Sequence, residues 1–285
     1  MTESRDPRAA GLPASHEQRL RLHRRTVGHG GRRYTLLTLR PSDPWRFGVR
    51  VDECTMITSD LAGTRLLGRL LWGLSFQRRP DTVLLLDSPH LVPNPYDGLA
   101  SPPVAFVPTP LSTVDAAAVR SIRRDRPSRR PSEGTLTWNT RSYARALTAD
   151  LTWQREMWAG HSGLDREWTE PVPEPRVRVF GDFVTISGDL AALRRWALSM
   201  GGLGRFWHAD ESCAEPDAGL AFDVHAIRHF HRQVSIATRA RSEVLGMADA
   251  PAEPRLLSER VTARAAAVAA RGQGPWDPLR PMPFG

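Results

Sequence analysis

The sequence predicts an α/β or α+β protein whose mixed sheet is built from two β-hairpin–helix units. Three observations carry that expectation. A leucine-rich helical segment, residues 59–79, stands between two strand-like runs at 46–53 and 82–87. "RVRVF" and "FVTIS" are joined by Gly181-Asp182, a two-residue turn of the primed type. The order hairpin then helix occurs twice, near 34–78 and near 176–200.

Residues 1–30 lack sustained periodicity and read as a disordered basic N-terminal arm, with a short helix around Glu17 to Arg25. A first unit is expected over 31–125. Within it "RYTLLTLR" and "RFGVRVDE" flank "PSDPW" and read as a hairpin, Phe47, Val49 and Val51 forming the apolar face. Ser59 is placed to cap the next helix, where Leu66, Leu67, Leu70, Leu71 and Leu74 make one broad apolar face. Gly63, Gly68 and Gly73 each weaken that helix by about 1 kcal/mol relative to Ala, so close packing is expected to compensate. Strand, helix and strand over 46–87 form a βαβ crossover, which implies a parallel pair. Seven prolines between Pro89 and Pro110 read as an extended surface connector.

"STVDAAAVRSIRR" is a helix opened by Ser112 and Asp115. Residues 126–134 have the composition of a linker. A second unit, 135–285, can pack with the first as one domain. It opens on the helix "NTRSYARALTADLTWQREMWAG" and continues with the Gly181-Asp182 hairpin. The helix "DLAALRRWALSM" follows, closed by Gly201-Gly202. Residues 204–221 read as a loop and 222–246 as helical at their start. An alanine-rich helix at 255–271 precedes a Pro-rich tail.

No apolar run approaches the roughly 20 residues of a membrane span, and no apolar stretch follows the charged N-terminus as in a secretory signal. A cytoplasmic protein without membrane contact is the expectation. Two isolated cysteines, Cys54 and Cys213, exclude a disulfide framework and a four-cysteine zinc site within one chain.

The chain contains no lysine, so all 39 basic residues are arginine, a pattern that codon bias alone can produce. The distribution is more informative. Residues 1–34 hold 8 Arg against 3 acids and 116–148 hold 8 Arg against 2, so the remainder sums to 8 − 5 − 6 = −3. Two basic concentrations sit on a mildly acidic body.

Four constellations could carry chemistry. "DTVLLLDSPH" ends in Asp87, Ser88 and His90, at the strand end where open α/β sheets keep ligands. Ser88 lacks the flanking glycines of a nucleophile elbow, and Asp87 and Ser88 are equally suited to bonding backbone donors in a turn. In "DVHAIRHFHR", His225 and His229 stand at i and i+4, able to share a metal on a helix, with Asp223, His208, Asp210 or Cys213 as a further ligand. The arginine segments 19–33 and 120–130, including Arg123, Arg124, Arg129 and Arg130, could track phosphates, although no nucleic-acid-binding motif accompanies them. Trp207, in a loop beside Phe206, could mark a ligand or partner surface.

The reading that follows is a binding or regulatory protein whose arginine segments engage an acidic partner, either a protein or another acidic macromolecule. The second reading is a hydrolase-like or metal-dependent enzyme with its site at the end of the 82–87 strand. No motif names a cofactor. The readings separate on whether Asp87 or His90 comes within about 10 Å of His225 or His229 in a concave pocket.

Overall fold

The structure, a computed structural model, describes residues 19–52, 54–109, 111–125, 131–158, 175–203, 210–213 and 222–271. The chain is a mixed α/β protein. Two strands open it, β1 (Arg19–His29) and β2 (Arg32–Thr38), paired antiparallel around Gly30 and Gly31, whose φ of 55° and 77° suit glycine. The arm expected over 1–30 is therefore corrected from Arg19 onward, and residues 1–18 lie outside the described residues. Leu20, Leu22 and Val27 provide enough buried apolar surface to seat the strand, despite four arginines among its residues.

The next hairpin joins β3 (Phe47–Val51) to β4 (Thr55–Ser59), not β2 to β3. Both edges of β2 are already taken, by β1 on one side and by β5 (Thr82–Leu86) in parallel on the other. A turn in which Asp43 N–H donates to the Arg40 carbonyl at 2.8 Å sends the chain away to a second sheet. Helix α1 (Leu61–Leu74) follows β4, capped by Asp60, which accepts from Gly63 N at 2.6 Å. Ser59, the expected cap, ends β4 and donates to the Arg46 carbonyl at 2.6 Å. The crossover through α1 does link parallel strands, but these are β2 and β5, with the β3–β4 hairpin interposed.

The Pro-rich stretch contains structure as well. β6 (Leu91–Val92) pairs with β3, and β7 (Val104–Pro108) is a buried strand beside β5. The prolines bracket β7, and Val104 to Val107 are free of them, so the backbone can pair. Helix α2 (Ala116–Arg124) is capped by Asp115 as expected. β8 (Gly134–Asn139) pairs with β1, which replaces the end of the expected linker with a strand, and residues 126–130 are not described. Helix α3 (Arg141–Trp158) comes next. The hairpin β9 (Arg176–Val179) and β10 (Val184–Gly188) and helix α4 (Leu190–Gly202), capped by Asp189, match expectation.

β11 (Asp210–Cys213) pairs with β12 (Phe222–Ile227), and α5 (Phe230–Leu245) and α6 (Pro254–Arg271) end the described chain. The helix expected from 222 is thus a strand first. Phe222 and Val224 alternate with Asp223 and His225, and that period of two prevails because β4 offers a parallel edge.

The first sheet has the order β8-β1-β2-β5-β7-β10-β9 and the second β11-β12-β4-β3-β6. Strands after residue 130 pair with strands before it in three places: β8 with β1, β10 with β7 and β12 with β4. Residues 126–134 therefore separate no independent sheets. β5 is buried on both faces, Val83 and Leu85 toward α2, Leu84 and Leu86 toward the core under α1 and α4. Phe106 of β7 meets Phe222 of β12 edge-on at 6.2 Å between centroids, joining the sheets through that core. α5 and α6 pack on each other through Ile236, Ala240, Val244 and Val261. Among the described residues no helix is long and apolar enough to cross a membrane.

Candidate anion-binding cleft

Side chains alternate along a strand, so Asp87 continues the row of Val83 and Leu85, on the α2 side of the sheet. Asp87 is 5% exposed and His90 3%. His90 N–H donates to the Asp87 carbonyl at 3.0 Å, closing the turn, and Phe47 N–H donates to the His90 carbonyl at 2.8 Å. The Ser88–Pro89 peptide within this turn is cis. His90 Nδ1 lies 3.0 Å from the Trp45 carbonyl oxygen, which can only accept, so Nδ1 carries the proton. Burial pushes this imidazole below its ordinary value, against the backbone carbonyls of Trp45 and Arg40. Nε2 is then an unprotonated nitrogen, buried and without a hydrogen-bond partner among the described residues. Ser88 is exposed, and among the described residues no hydrogen bond joins it to His90. Asp87, Ser88 and His90 share one turn without forming a nucleophile–base pair.

Beside this turn opens a cleft of about 340 Å³, within the range of small-ligand sites. It lies at the carboxyl ends of the parallel strands β2 and β5, with His23, Arg24, Arg25, Thr38, Asp87 and His90 in its wall. Register explains the assembly: Arg25 is opposite Leu36, which is beside Val83, and His23 is opposite Thr38. Arg25 therefore lies on the face that α2 covers next to Val27, and is only 6% exposed. Its Nη2 donates to the Pro131 carbonyl. Neither Arg24 nor Arg25 has a carboxylate within 4.0 Å among the described residues. Residues 126–130, "RPSRR", lead into Pro131 and contain no acid. On the other side of the Asp87 turn a larger, mainly apolar cleft of about 630 Å³ is lined by Val49, Leu91, Pro102, Pro103, Val179 and Asp182.

The two arginine-rich segments are neighbours in the fold. α2 packs on β1, with Ser121 Oγ 3.0 Å from His29 Nδ1, and Thr26 N–H donates to the Glu133 carboxylate at 3.0 Å. Arg123 pairs with Asp182 and Arg124 is exposed. Arg129, Arg130 and Trp207 lie outside the described residues. Arg24 and Arg25 were not separable from the other arginines of their segment by charge. The available signal that this segment is a strand with one arginine turned inward was Leu20 and Leu22 alternating on one face, with Val27 on the opposite face beside Arg25.

The histidine pair is not assembled as a metal site. His225 is on a strand, and both its ring nitrogens are engaged, Nε2 by Asp223 Oδ2 at 2.6 Å and Nδ1 by the Tyr96 hydroxyl at 3.3 Å. His229 is exposed, one residue before α5, so the shared helical face does not exist. Among the described residues no three His, Cys, Asp or Glu side chains converge as a cation site. Neither histidine lines either cleft beside Asp87. β12 is three strands from β6 in the second sheet, about 14 Å at about 4.8 Å per strand. No protein family, curated protein or solved structure matches the chain.

Proposed function

We propose that the protein binds an anionic group, a phosphate or carboxylate of a small ligand or acidic partner, in the cleft formed by Arg24, Arg25 and the Asp87 turn. The observation that carries this reading is Arg25, a guanidinium 6% exposed in a cleft wall with one backbone acceptor and no carboxylate partner among the described residues. A buried cation costs several kcal/mol unless an anion compensates it. A planar guanidinium can hold such an anion through two parallel hydrogen bonds. Asp87 in the wall and the nearby Glu133, held below the ordinary carboxylate value by its bonds to Thr26 and in part by the charges of Arg25 and Arg24, act on the arginines from a distance and leave the guanidinium faces to a ligand. The convergence of both arginine segments around β1 extends positive charge beyond the cleft, which would speed the approach of an acidic partner.

Titration calorimetry with inorganic pyrophosphate and with citrate, at about 50 and 200 mM salt, tests the reading. Binding is expected, weaker at the higher salt. Arg24→Gln, a change at a partly exposed position, should weaken it about 10-fold with little effect on unfolding. Failure of both anions to bind, or equal affinity of the variant, overturns the reading.

A further inference from the structure

A second constellation lies apart from the cleft, on the outer face of the second sheet. Val224 of β12 and Ile57 of β4 are paired and point into the core. Asp223 and His225 therefore point the other way, on the face shared with Arg50 and Met56. The turn at 94–98 supplies Tyr96 to this face. Buried Asn94 holds the turn, its Oδ1 accepting from Tyr96 N and Asp97 N, both at 3.1 Å. Asp97 is tied in turn to Ser258 of α6 at 2.8 Å. Gly98, at φ 67°, presses the turn on α5, where a Cβ would come 2.6 Å from the Ala237 carbonyl oxygen.

Asp223 accepts twice, from Val224 N at 2.7 Å and from His225 Nε2 at 2.6 Å. Nε2 thus carries the imidazole proton, and Nδ1 presents its lone pair to the Tyr96 O–H at 3.3 Å. The order hydroxyl, imidazole, carboxylate is that of an activated nucleophile. The His225 side chain is 25% exposed, and the Arg50 guanidinium stands 6.0 Å from the centre of the Tyr96 ring.

We propose that Tyr96, His225 and Asp223 form a second chemical site, in which the Tyr96 hydroxyl accepts a phosphoryl group from a phosphate ester. Tyr96 Oη attacks phosphorus while its proton passes to His225 Nδ1. The bond from phosphorus to the leaving alkoxide breaks, and that oxygen takes the proton from Nδ1, leaving a Tyr96 phosphoester. Water, giving a proton to the same nitrogen, then displaces Tyr96, which recovers the proton. The net change is hydrolysis, with no oxidant or reductant. Asp223 is the positioning residue that fixes the tautomer and balances the imidazolium. The Arg50 guanidinium, beside the Tyr96 ring and paired with the exposed Asp52 carboxylate at 2.7 Å, would turn from that carboxylate to the phosphoryl oxygens, which is why phosphoryl transfer suits the site better than acyl transfer.

The test is phosphorylation of the full chain by diisopropyl fluorophosphate, in which the P–F bond breaks and fluoride leaves. Peptide mass spectrometry should find the diisopropylphosphoryl group on Tyr96. Its rate of formation should fall about 100-fold in His225→Ala and return with added imidazole. Asp223→Asn, which keeps the side chain's size, should slow labelling without restoring it to the alanine variant's dependence on imidazole. A role for His225 in packing alone predicts no rescue. Absence of the adduct from Tyr96, or an unchanged rate in both variants, overturns the proposal.

Discussion

Replacing Arg25 with Met separates stability from binding, and the structure supplies the terms. Arg25 sits beside Val27 and Leu36 at 6% exposure, with the Pro131 carbonyl as its one protein acceptor among the described residues. Methionine fills much of the volume of the arginine stem without its charge. The substitution forfeits a hydrogen bond from a charged donor, about 1.5–3 kcal/mol. It also removes the desolvation cost of the cation, several kcal/mol. The balance favours Arg25→Met by about 1 kcal/mol in anion-free buffer. A ligand at 100 times its dissociation constant adds about 2.7 kcal/mol to whatever binds it. Wild type should therefore overtake the variant by about 1.7 kcal/mol in saturating pyrophosphate, since the variant gains nothing. Urea unfolding in both buffers, with matching m-values, reads the two differences. A variant much less stable than wild type without anion would refute the idea of an uncompensated guanidinium. An equal gain from pyrophosphate would refute its role in binding.

Three further outcomes are expected. A Cβ on Gly68 would lie 2.6 Å from the Ala197 carbonyl oxygen and 2.7 Å from the Tyr143 hydroxyl, so Gly68→Ala should destabilise by about 1 kcal/mol despite better helix propensity. Gly202→Ala, whose nearest contact is Leu151 Cδ2 at 3.4 Å, should instead stabilise by up to about 1 kcal/mol, as urea midpoints can show. His90 titrates below its ordinary value of 6.5 in the folded protein, so below that pH the unfolded chain binds a proton that the native ring resists. Stability should be lost as pH falls from 6.5 toward the folded value, at no more than about 1.4 kcal/mol per pH unit, and His90→Gln should flatten that part of the profile.

Asp115 and Asp189 open their helices as their spacing from the apolar runs indicates, because a cap acts within one turn of chain. The three glycines of α1 were readable as sites of close approach, and each has a neighbour within 3.0 Å of a hypothetical Cβ. What they approach was not readable: Ser59 at Gly63, Ala197 at Gly68 and Trp138 at Gly73. β7 was obscured because proline density was averaged over the whole stretch from Pro89 to Pro110, although Val104 to Val107 contain none. β1 was hidden by its arginines, which mask the alternation beneath them. Asp87 and His90 were visible as a strand end with polar groups, yet nothing local pointed to Arg24 and Arg25 as their neighbours. That proximity depends on β1 pairing with β2 in a hairpin and on β2 pairing with β5, a contact about 50 residues apart along the chain.

The sequence by itself determined the mixed α/β class, the helices that became α1, α2 and α4 with the Asp115 and Asp189 caps, the Gly181-Asp182 turn and the strand at 82–87. Each of these follows from side-chain period, backbone dihedral preference or capping within a few residues. Only the tertiary structure decided which strands pair, how the chain divides between two sheets, and which polar groups meet. Strand edges carry the same donors and acceptors wherever they occur, so pairing is chosen by the packing of both faces at once. That choice placed Arg25 in the wall of a cleft and set Tyr96 against His225.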